Sequence, residues 1–230
     1  MRPWKEADET PREGGVTVPP GQAPPLRKRL PAARRRTQLL EVALERFAAN
    51  GFHGTSMEEI ADAAGVTKPV LYQHFGSKRT LYLELLETVG DELLDAVATR
   101  AAAEAEPYQR VLAGFRAYFQ FVGERTSAFQ VLFGNGSRQT DEFADTVGSV
   151  EASVAGAIGT FIDADIDPSH RDLLGYAIVG LGEVTARLWV SRHEESGEDR
   201  FDPAEAELLA VRLSDLVWAG LRGLPGGARS

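Results

Sequence analysis

The fold is decided by residues 55–78, which read Thr-Ser-Met-Glu-Glu-Ile-Ala-Asp-Ala-Ala-Gly-Val-Thr-Lys-Pro-Val-Leu-Tyr-Gln-His-Phe-Gly-Ser-Lys. They predict two short helices on either side of a break at Gly65, because glycine readily adopts the positive φ that a tight turn requires. Thr55 or Ser56 can cap the first helix, and a glutamate three residues later completes a capping box. An apolar stripe at helical spacing follows, formed by Met57, Ile60, Ala61 and Ala64.

The second short helix is predicted over Lys68 to Phe75, with Thr67 as its N-cap. Pro69 falls in the first turn, where the missing backbone N–H costs no hydrogen bond. Val70, Leu71 and Phe75 supply the apolar contacts of this helix. Gly76 ends it.

One longer helix precedes this pair and another follows it. The first is predicted from about Ala33 to Asn50 and ends at Gly51, which suits the left-handed C′ position. The last begins at Ser77, and its apolar residues keep helical spacing as far as Val97. Two short helices joined by a glycine turn and buttressed by a third are the parts of a helix-turn-helix, whose second helix lies in the major groove.

Charge is distributed unevenly along the chain. The formal net charge is -9, which by itself disfavours binding to DNA. Residues 26–80, however, carry ten Lys and Arg against five Asp and Glu, whereas residues 81–230 carry twelve against twenty-five. This asymmetry predicts a basic head that binds a polyanion and an acidic body with a different task.

Three sets of polar residues in the head suit DNA. The outward face of the second short helix carries side chains that can reach base edges and phosphates, namely Thr67, Lys68, Tyr72, Gln73 and His74. Ser77 and Lys78 lie at a helix N-terminus, where free N–H groups favour a phosphate. A basic arm that can enter a minor groove comprises Arg27, Lys28, Arg29, Arg34, Arg35 and Arg36. Each set also has a plainer explanation as solvated surface.

The stretch from Thr37 to Lys78 strongly resembles the N-terminal domain of TetR-family transcriptional regulators. The match is carried by Thr37-Gln38-Leu39-Leu40, by Phe47-Ala48-Ala49-Asn50-Gly51-Phe52 and by the ungapped run from Thr55 to Lys78. It implies a three-helix DNA-binding head on a helical body that senses a ligand and dimerises. The rest of the chain also has helical periodicity, so we expect an all-α fold.

The resemblance implies roles for individual head residues. Phosphate contacts would fall on Thr55 or Ser56, Tyr72, His74 and Lys78, and the base-reading positions on Thr67, Lys68 and Pro69. Gln73 and Arg34 complete the candidate DNA-binding set from the residue types alone. Many family members have a small residue where Pro69 stands, so the chain departs from the family pattern at a base-reading position.

Three segments are expected along the chain. Residues 1–30 form a disordered tail with a basic end, residues 31–80 a helix-turn-helix DNA-binding domain with its motif at 56–75, and residues 81–225 a helical ligand-binding and dimerisation domain. The tail lacks the apolar core of a secretion signal, which predicts a cytoplasmic protein. The apolar stretch 173–190 is short and contains Glu183 and Arg187, so no membrane span is expected.

Aromatic residues are concentrated between Phe115 and Phe133, where six occur in nineteen positions. Such a cluster can be plain core, but a ligand-sensing body needs a cavity. The candidate ligand-binding residues are Phe115, Phe119, Phe129, Phe133, Ile158, Phe161, Ile162, Leu181 and Val184. Segments 68–75, 128–133 and 217–225 are similar to actinobacterial TetR-type regulators of fatty acid synthesis, which implies a hydrophobic effector such as long-chain acyl-CoA.

Two helices near the C-terminus, at about 171–192 and about 203–221, are apolar on more than one side. One apolar face suffices for the core of a monomer, and a second face must be covered by something else. Gly175, Gly180, Gly182 and Gly220 would let helices approach closely. The segment 194–199 is too polar to cover this face, so we expect a four-helix interface in a symmetric homodimer.

The sequence gives little support to an enzyme. The chain has no cysteine and four scattered histidines, so no metal site is expected. Gly180-Leu181-Gly182 lies in a helical pattern without the strand of a dinucleotide-binding motif, so no cofactor is expected. We therefore predict a homodimeric repressor that binds a palindromic operator and responds to a hydrophobic effector. The alternative is a soluble helical carrier of a hydrophobic ligand that lacks sequence-specific DNA binding.

Overall fold

The computed structural model describes residues 31–134, 141–197 and 201–226. Within these ranges it contains nine α-helices and no strand, which confirms the all-α prediction. The helices are α1 (Ala32–Gly54), α2 (Met57–Ala63), α3 (Lys68–His74), α4 (Lys78–Ala102), α5 (Pro107–Glu124), α6 (Thr126–Phe133), α7 (Asp141–Phe161), α8 (Pro168–Ser196) and α9 (Pro203–Leu221). The predicted tail, including Arg27, Lys28 and Arg29, lies outside the described residues.

The short helices of the head begin where the local sequence predicts, and α3 ends at His74, one residue before the predicted Phe75. Of the alternatives at the start of α2, Ser56 is the N-cap: its side chain accepts from the backbone N–H of Glu59 (3.1 Å), and its own N–H donates to the Glu59 carboxylate (2.7 Å). Gly65 follows α2 with φ +64°, a conformation that favours glycine. Thr67 is the N-cap of α3 but, among the described residues, its side chain makes no capping hydrogen bond.

The end of α1 differs from the prediction. Gly51 does adopt a positive φ of 70°, but helical hydrogen bonding resumes beyond this kink and α1 continues to Gly54. The hydroxyl of Thr55 then donates to the carbonyl oxygens of Gly51 (2.9 Å) and Arg46 (3.0 Å). These bonds satisfy carbonyls that the kink removes from the regular helical ladder.

Continuous packing joins the head to the body. In the head, α1 to α3 bury Leu39, Leu44, Phe47, Ile60 and Leu71, and this core extends into α4, α6 and α7. At the junction, the ring of Phe52 on α1 lies 5.0 Å from Tyr82 on α4 and 4.7 Å from Phe143 on α7. Phe143 is completely buried, so this aromatic cluster fixes three helices against one another.

A polar network at the same junction involves Arg125, which separates α5 from α6. Its guanidinium donates to both carboxylate oxygens of Glu41 on α1 (3.1 Å each) and to Glu92 on α4 (3.0 Å). Ser127 on α6 donates to Glu45 on α1 (2.9 Å). The first helix of the head is thus held by both the long helix α4 and the short helix α6.

Two glycines allow close helix contacts inside the body. A methyl group on Gly90 of α4 would lie 2.4 Å from a methyl carbon of Val150 on α7, and one on Gly175 of α8 would lie 2.4 Å from the carbonyl oxygen of Ala155 on α7. Side chains at these positions would therefore force α7 away from its neighbours. The prediction that Gly175 serves the dimer interface is wrong, because it faces α7 within the subunit.

Candidate DNA-binding surface and ligand cavity

The exposed side of α3 carries the predicted base-reading positions Thr67, Lys68 and Pro69 together with two further candidate DNA-binding residues. Thr67, Lys68, Pro69 and Gln73 are exposed, and Tyr72 is 43% exposed although it is a large aromatic residue. Leu71 of the same helix is completely buried and anchors it to the head. The second helix of the helix-turn-helix thus presents a row of hydrogen-bonding side chains to solvent, interrupted by Pro69, with Lys68 loosely paired to Glu58 (3.5 Å).

The predicted phosphate contacts are arranged less uniformly. Ser56 is exposed at the N-terminus of α2, where it can meet an anion. Thr55 is only 2% exposed, and its hydroxyl is committed to two backbone carbonyls. Of these two alternatives only Ser56 can reach a phosphate. His74 is half-buried and its ring leans against Phe75.

Lys78, at the start of α4, is bound to the head itself. Its ammonium group donates to the carbonyl oxygens of Phe52 (2.8 Å) and Thr55 (2.9 Å) and lies 4.4 Å from the centre of the Phe52 ring. Two of its three protons are therefore used inside the protein, and the third remains for a phosphate. The sequence indicated the phosphate role and missed the structural one, because the carbonyl acceptors lie 23 and 26 residues away.

We expect Lys78→Met to lower the free energy of unfolding by about 2 kcal/mol or more, since hydrogen bonds to charged groups contribute about 1.5 to 3 kcal/mol each. Lys68→Met is the matched control, because its exposed ion pair contributes about 1 kcal/mol at most. Urea denaturation followed by circular dichroism measures both. Equal losses in the two variants would show that Lys78 has no structural role.

The basic residues at the start of α1 have two different roles, one expected in DNA binding and one in holding helices together. Arg34 is exposed in the first turn of α1 and is available to DNA. Arg36 instead pairs with Glu84 on α4, donates to the carbonyl oxygen of His74 (2.6 Å) and stacks 4.4 Å from the centre of the Phe75 ring. It therefore ties α1 to α4 and to the end of α3, a role that the sequence did not indicate.

An apolar cavity of about 100 Å³ lies in the body between α4, α5, α7 and α8. Five of the nine candidate ligand-binding residues line it, namely Phe115, Phe133, Ile158, Phe161 and Ile162. Small-molecule pockets usually have about 300 to 1,000 Å³, so this cavity must widen to hold an effector of that size. A larger ligand therefore has to displace side chains or helices of the wall.

The other four candidate ligand-binding residues are not among those that line this cavity. Phe119 and Phe129 are 0% and 3% exposed and belong to the packed core. Leu181 lies in a separate apolar groove between α8 and α9, and Val184 is 61% exposed on the outside of α8. Helical periodicity showed that these residues share apolar faces, but it could not show which face turns inward.

Polar groups also line the cavity, although the sequence did not indicate them. Tyr118 on α5 and Glu183 on α8 contribute to the wall, and Arg110 contributes to it two turns earlier on α5. Glu183 is only 4% exposed and forms an ion pair with Arg187 one turn later (2.9 Å). The signal that could have found it is a glutamate in the middle of an apolar helix.

The outer sides of α8 and α9 are apolar and exposed. Leu173, Val184 and Leu188 on α8 and Leu216 on α9 are between 51% and 65% exposed. We call this surface the outer apolar face. Gly180 and Gly220 have no neighbour within 4 Å of an added methyl group, whereas Gly182 faces Tyr118 inside the subunit. Of the four predicted interface glycines, these two alone have open space.

With 29 residues, α8 is long and apolar enough to cross a bilayer by length and composition, contrary to the expectation from residues 173–190. A third of its most apolar window is buried against the rest of the protein. A core helix that also carries the outer apolar face has the same composition. Length and composition alone are therefore weak evidence for a membrane span.

A helix-turn-helix with an exposed second helix, joined to a helical body that encloses an apolar cavity, defines a one-component DNA-binding regulator. Residues 39–85 match the model of "Bacterial regulatory proteins, tetR family", and residues 107–220 match that of "Tetracyclin repressor-like, C-terminal domain". The chain belongs to the TetR family of transcriptional regulators.

Three similar proteins illustrate the range of the family. The transcriptional activator FasR of Mycolicibacterium smegmatis is 31% identical over 199 residues, which cover 86% of this chain and 87% of that protein. The transcriptional repressor KstR2 of Rhodococcus jostii is 34% identical over 197 residues, covering 80% and 91%. FadR of Bacillus subtilis, solved in complex with stearoyl-CoA, shares the fold with a TM-score of 0.67 at 17% identity, covering 80% of this chain and 98% of FadR.

Proposed function

We propose that this protein is a homodimeric repressor that binds a palindromic operator and leaves it when a hydrophobic effector enters the body. The observation that carries the proposal is the row of exposed hydrogen-bonding side chains on α3, the second helix of the helix-turn-helix. Such a row serves no purpose in the packing of the head, whereas it suits the edges of bases in a major groove. The site of action is the cytoplasm, where the operator DNA lies.

Selection from a random duplex pool tests the DNA-binding function, because the pool contains every short operator sequence. We expect the purified protein to enrich a palindrome that it binds at least about 10³-fold more tightly than random duplex. Half-sites should lie about one helical turn, or a multiple of it, apart. A helical carrier without sequence-specific DNA binding is the alternative, and it would enrich no sequence.

Variants on α1 and α3 should separate base contacts from phosphate contacts. We expect Gln73→Ala to weaken binding to the selected operator by about 1 to 3 kcal/mol and to change binding to random DNA little. Arg34→Ala should instead weaken both and reduce the slope of log K against log salt by about one. Fluorescence anisotropy at several salt concentrations measures these effects. Two variants with the same profile would contradict the assignment.

The outer apolar face supports the dimer. Its exposed leucine and valine side chains lie on two neighbouring helices of the body, away from α3, and a monomer would leave them in water at a cost of about 25 cal/mol per Å². A second copy of the chain offers the same face, and a two-fold interface is self-complementary. Two copies also provide the two heads that a palindrome requires.

The cavity supports an apolar effector, and long-chain acyl-CoA is the class we propose. Aliphatic and aromatic side chains make up most of its wall, and the stearoyl-CoA complex of FadR shows that this fold can hold an acyl chain. Because the cavity must widen to hold such a chain, the ligand favours a body shape that differs from the one described here. A coupling of about 1 to 3 kcal/mol between effector and operator is typical of such linkage.

Native mass spectrometry of the purified protein tests the dimer and the effector together. We expect a dimer that carries extra mass equal to an acyl-CoA, and the same compound should lower operator affinity. An operator affinity that rises on addition of the compound would reverse the proposed sign of regulation. A reporter gene placed behind the selected operator then shows whether the bound protein lowers transcription, as a repressor does, or raises it, as an activator does.

A further inference from the structure

The hydroxyl of Tyr118 is buried beside the cavity without a hydrogen-bond partner in the part of the chain that the structure describes. Burying a hydroxyl without a partner is unfavourable, and buried polar groups in native proteins are nearly always satisfied. A phenylalanine at this position would fill the same space without that cost. The hydroxyl is therefore explained most directly by a partner that arrives with the ligand.

Glu183 provides the second polar group at this end of the cavity. Both side chains line the cavity, and the charge of Glu183 acts on the Tyr118 hydroxyl, so the two groups belong to neighbouring parts of one wall. The carboxylate of Glu183 is paired with Arg187. A carboxylate has about four lone-pair positions, so it can accept a further hydrogen bond from a ligand.

The ionisation of both groups restricts what they can bind. Burial raises the pKa of the Tyr118 phenol far above its ordinary value, and the nearby charge of Glu183 raises it further. Tyr118 is therefore a permanent hydrogen-bond donor at physiological pH, next to a buried carboxylate. A ligand carboxylate in this position would be repelled by Glu183, whereas a hydroxyl can accept from one group and donate to the other.

The charged residues of the described cavity wall are arranged from one end to the other. Arg110 lies eight residues before Tyr118 on α5, which is about 12 Å along the helix, and its guanidinium lies 5.6 Å from the centre of the Phe161 ring on α7. The remaining charged residue of the wall, Glu151, lies ten residues before Phe161 on α7. The cation is therefore remote from Tyr118 and Glu183. An anionic part of an effector is placed more favourably near Arg110, and an uncharged polar part near Tyr118.

We infer that the effector carries a hydroxyl group on its apolar body and that Tyr118 and Glu183 bind this hydroxyl at the end of the cavity nearest the head. The inference rests on the proposed ligand-sensing function and narrows its ligand class. For an acyl-CoA, it selects a hydroxylated acyl chain over a plain one. Tyr118 and Glu183 then act as specificity-determining residues.

Matched six-membered ring compounds test this inference directly. Cyclohexanol, methylcyclohexane and cyclohexanecarboxylate have similar size and differ in the group on the ring. All three are close in size to the small ring compounds that an apolar protein cavity of this order of volume can bind. We expect calorimetric titration of the wild-type dimer to show binding of cyclohexanol at least tenfold tighter than in Tyr118→Phe. Methylcyclohexane should bind both proteins equally, and so should cyclohexanecarboxylate, because its charge is placed near Arg110 and gains nothing from a Tyr118 hydroxyl beside Glu183.

Two further variants keep the test independent of folding. Tyr108→Phe is the control, because it removes a tyrosine hydroxyl that donates to Asp215 outside the cavity, and it should not alter cyclohexanol binding. Tyr118→Phe should unfold at the same or a higher temperature than the wild type without ligand, since it removes an unpaired buried hydroxyl. Glu183→Gln should bind cyclohexanecarboxylate more tightly than the wild type, because the ligand carboxylate can then accept from Tyr118 without repulsion.

The outcomes separate this inference from the proposed function. Equal binding of cyclohexanol to wild type and Tyr118→Phe, or no binding of cyclohexanol to the wild type, would overturn the hydroxyl site. If purely apolar compounds still changed operator affinity in that case, the proposed regulatory function would stand. Tyr118-dependent binding of alcohols that never alters operator affinity would instead support the hydroxyl site and refute the regulatory function.

Discussion

The double variant Val184→Glu and Leu188→Glu is expected to be monomeric and to lose at least about 100-fold in operator affinity. Both residues are more than half exposed on α8, so the changes leave the core of the subunit intact. In a dimer they would bring four carboxylates into an apolar interface, where unpaired charges are very unfavourable. Linking two binding modules commonly increases affinity by about 10² to 10⁴, and this gain would be lost.

Sedimentation velocity and operator titration measure the two effects, and a second double variant serves as control. Ala152→Glu with Gly156→Glu adds the same charge at the same spacing on exposed positions of α7. It should remain dimeric and bind the operator like the wild type, apart from a small general electrostatic effect. A Val184 and Leu188 double variant that stays dimeric would show that the outer apolar face is not the interface.

The variant Phe143→Ala is expected to lower the free energy of unfolding by about 3 to 5 kcal/mol, the usual cost of truncating a buried phenylalanine. Phe143 is completely buried, and its ring lies 4.6 Å from Tyr82 and 4.7 Å from Phe52. A cavity there would loosen α7 from both α1 and α4. Because natural domains are stable by only about 5 to 15 kcal/mol, much of the total would be lost.

Urea unfolding and hydrogen exchange measure this variant. Phe143→Leu is the control, since it keeps most of the buried volume and should cost far less than Phe143→Ala. Exchange in Phe143→Ala should rise in α1 and in the first turns of α4 and α7, the helices that meet at the aromatic cluster. A loss below about 1 kcal/mol would show that the cluster contributes little to the attachment of the head.

The parts of the fold that the sequence predicted are those determined by neighbouring residues. Ser56 and Glu59 are three residues apart and form a capping box from their own chemistry, and Gly51 and Gly65 adopt the positive φ that their positions in the sequence indicated. Similarly, α9 spans the residues predicted for it. Such signals do not depend on the distant contacts that complete the fold.

Distant contacts account for the parts that the sequence could not give. Lys78 and Arg36 look like free cations in the sequence, and each is bound to carbonyl oxygens more than twenty residues away. Val184 and Phe119 are both apolar, but one lies at the surface and the other in the core. In the sequence Tyr118 is one aromatic residue among six, and only the packed helices reveal that its hydroxyl has no partner among the described residues.

The long helix α4 has a mechanical consequence, because it forms both the edge of the head and a wall of the cavity. Lys78 at its first turn holds the end of α1, and Leu93 to Ala101 of the same helix line the cavity. The fifteen residue steps from Lys78 to Leu93 make a rigid rod of about 22 Å. A tilt of about 10° at the cavity end would displace the head by about 4 Å over that length. Two subunits tilting symmetrically would change the separation of their heads by up to twice this distance. The two recognition helices would then no longer match major grooves whose spacing is fixed by the pitch of DNA.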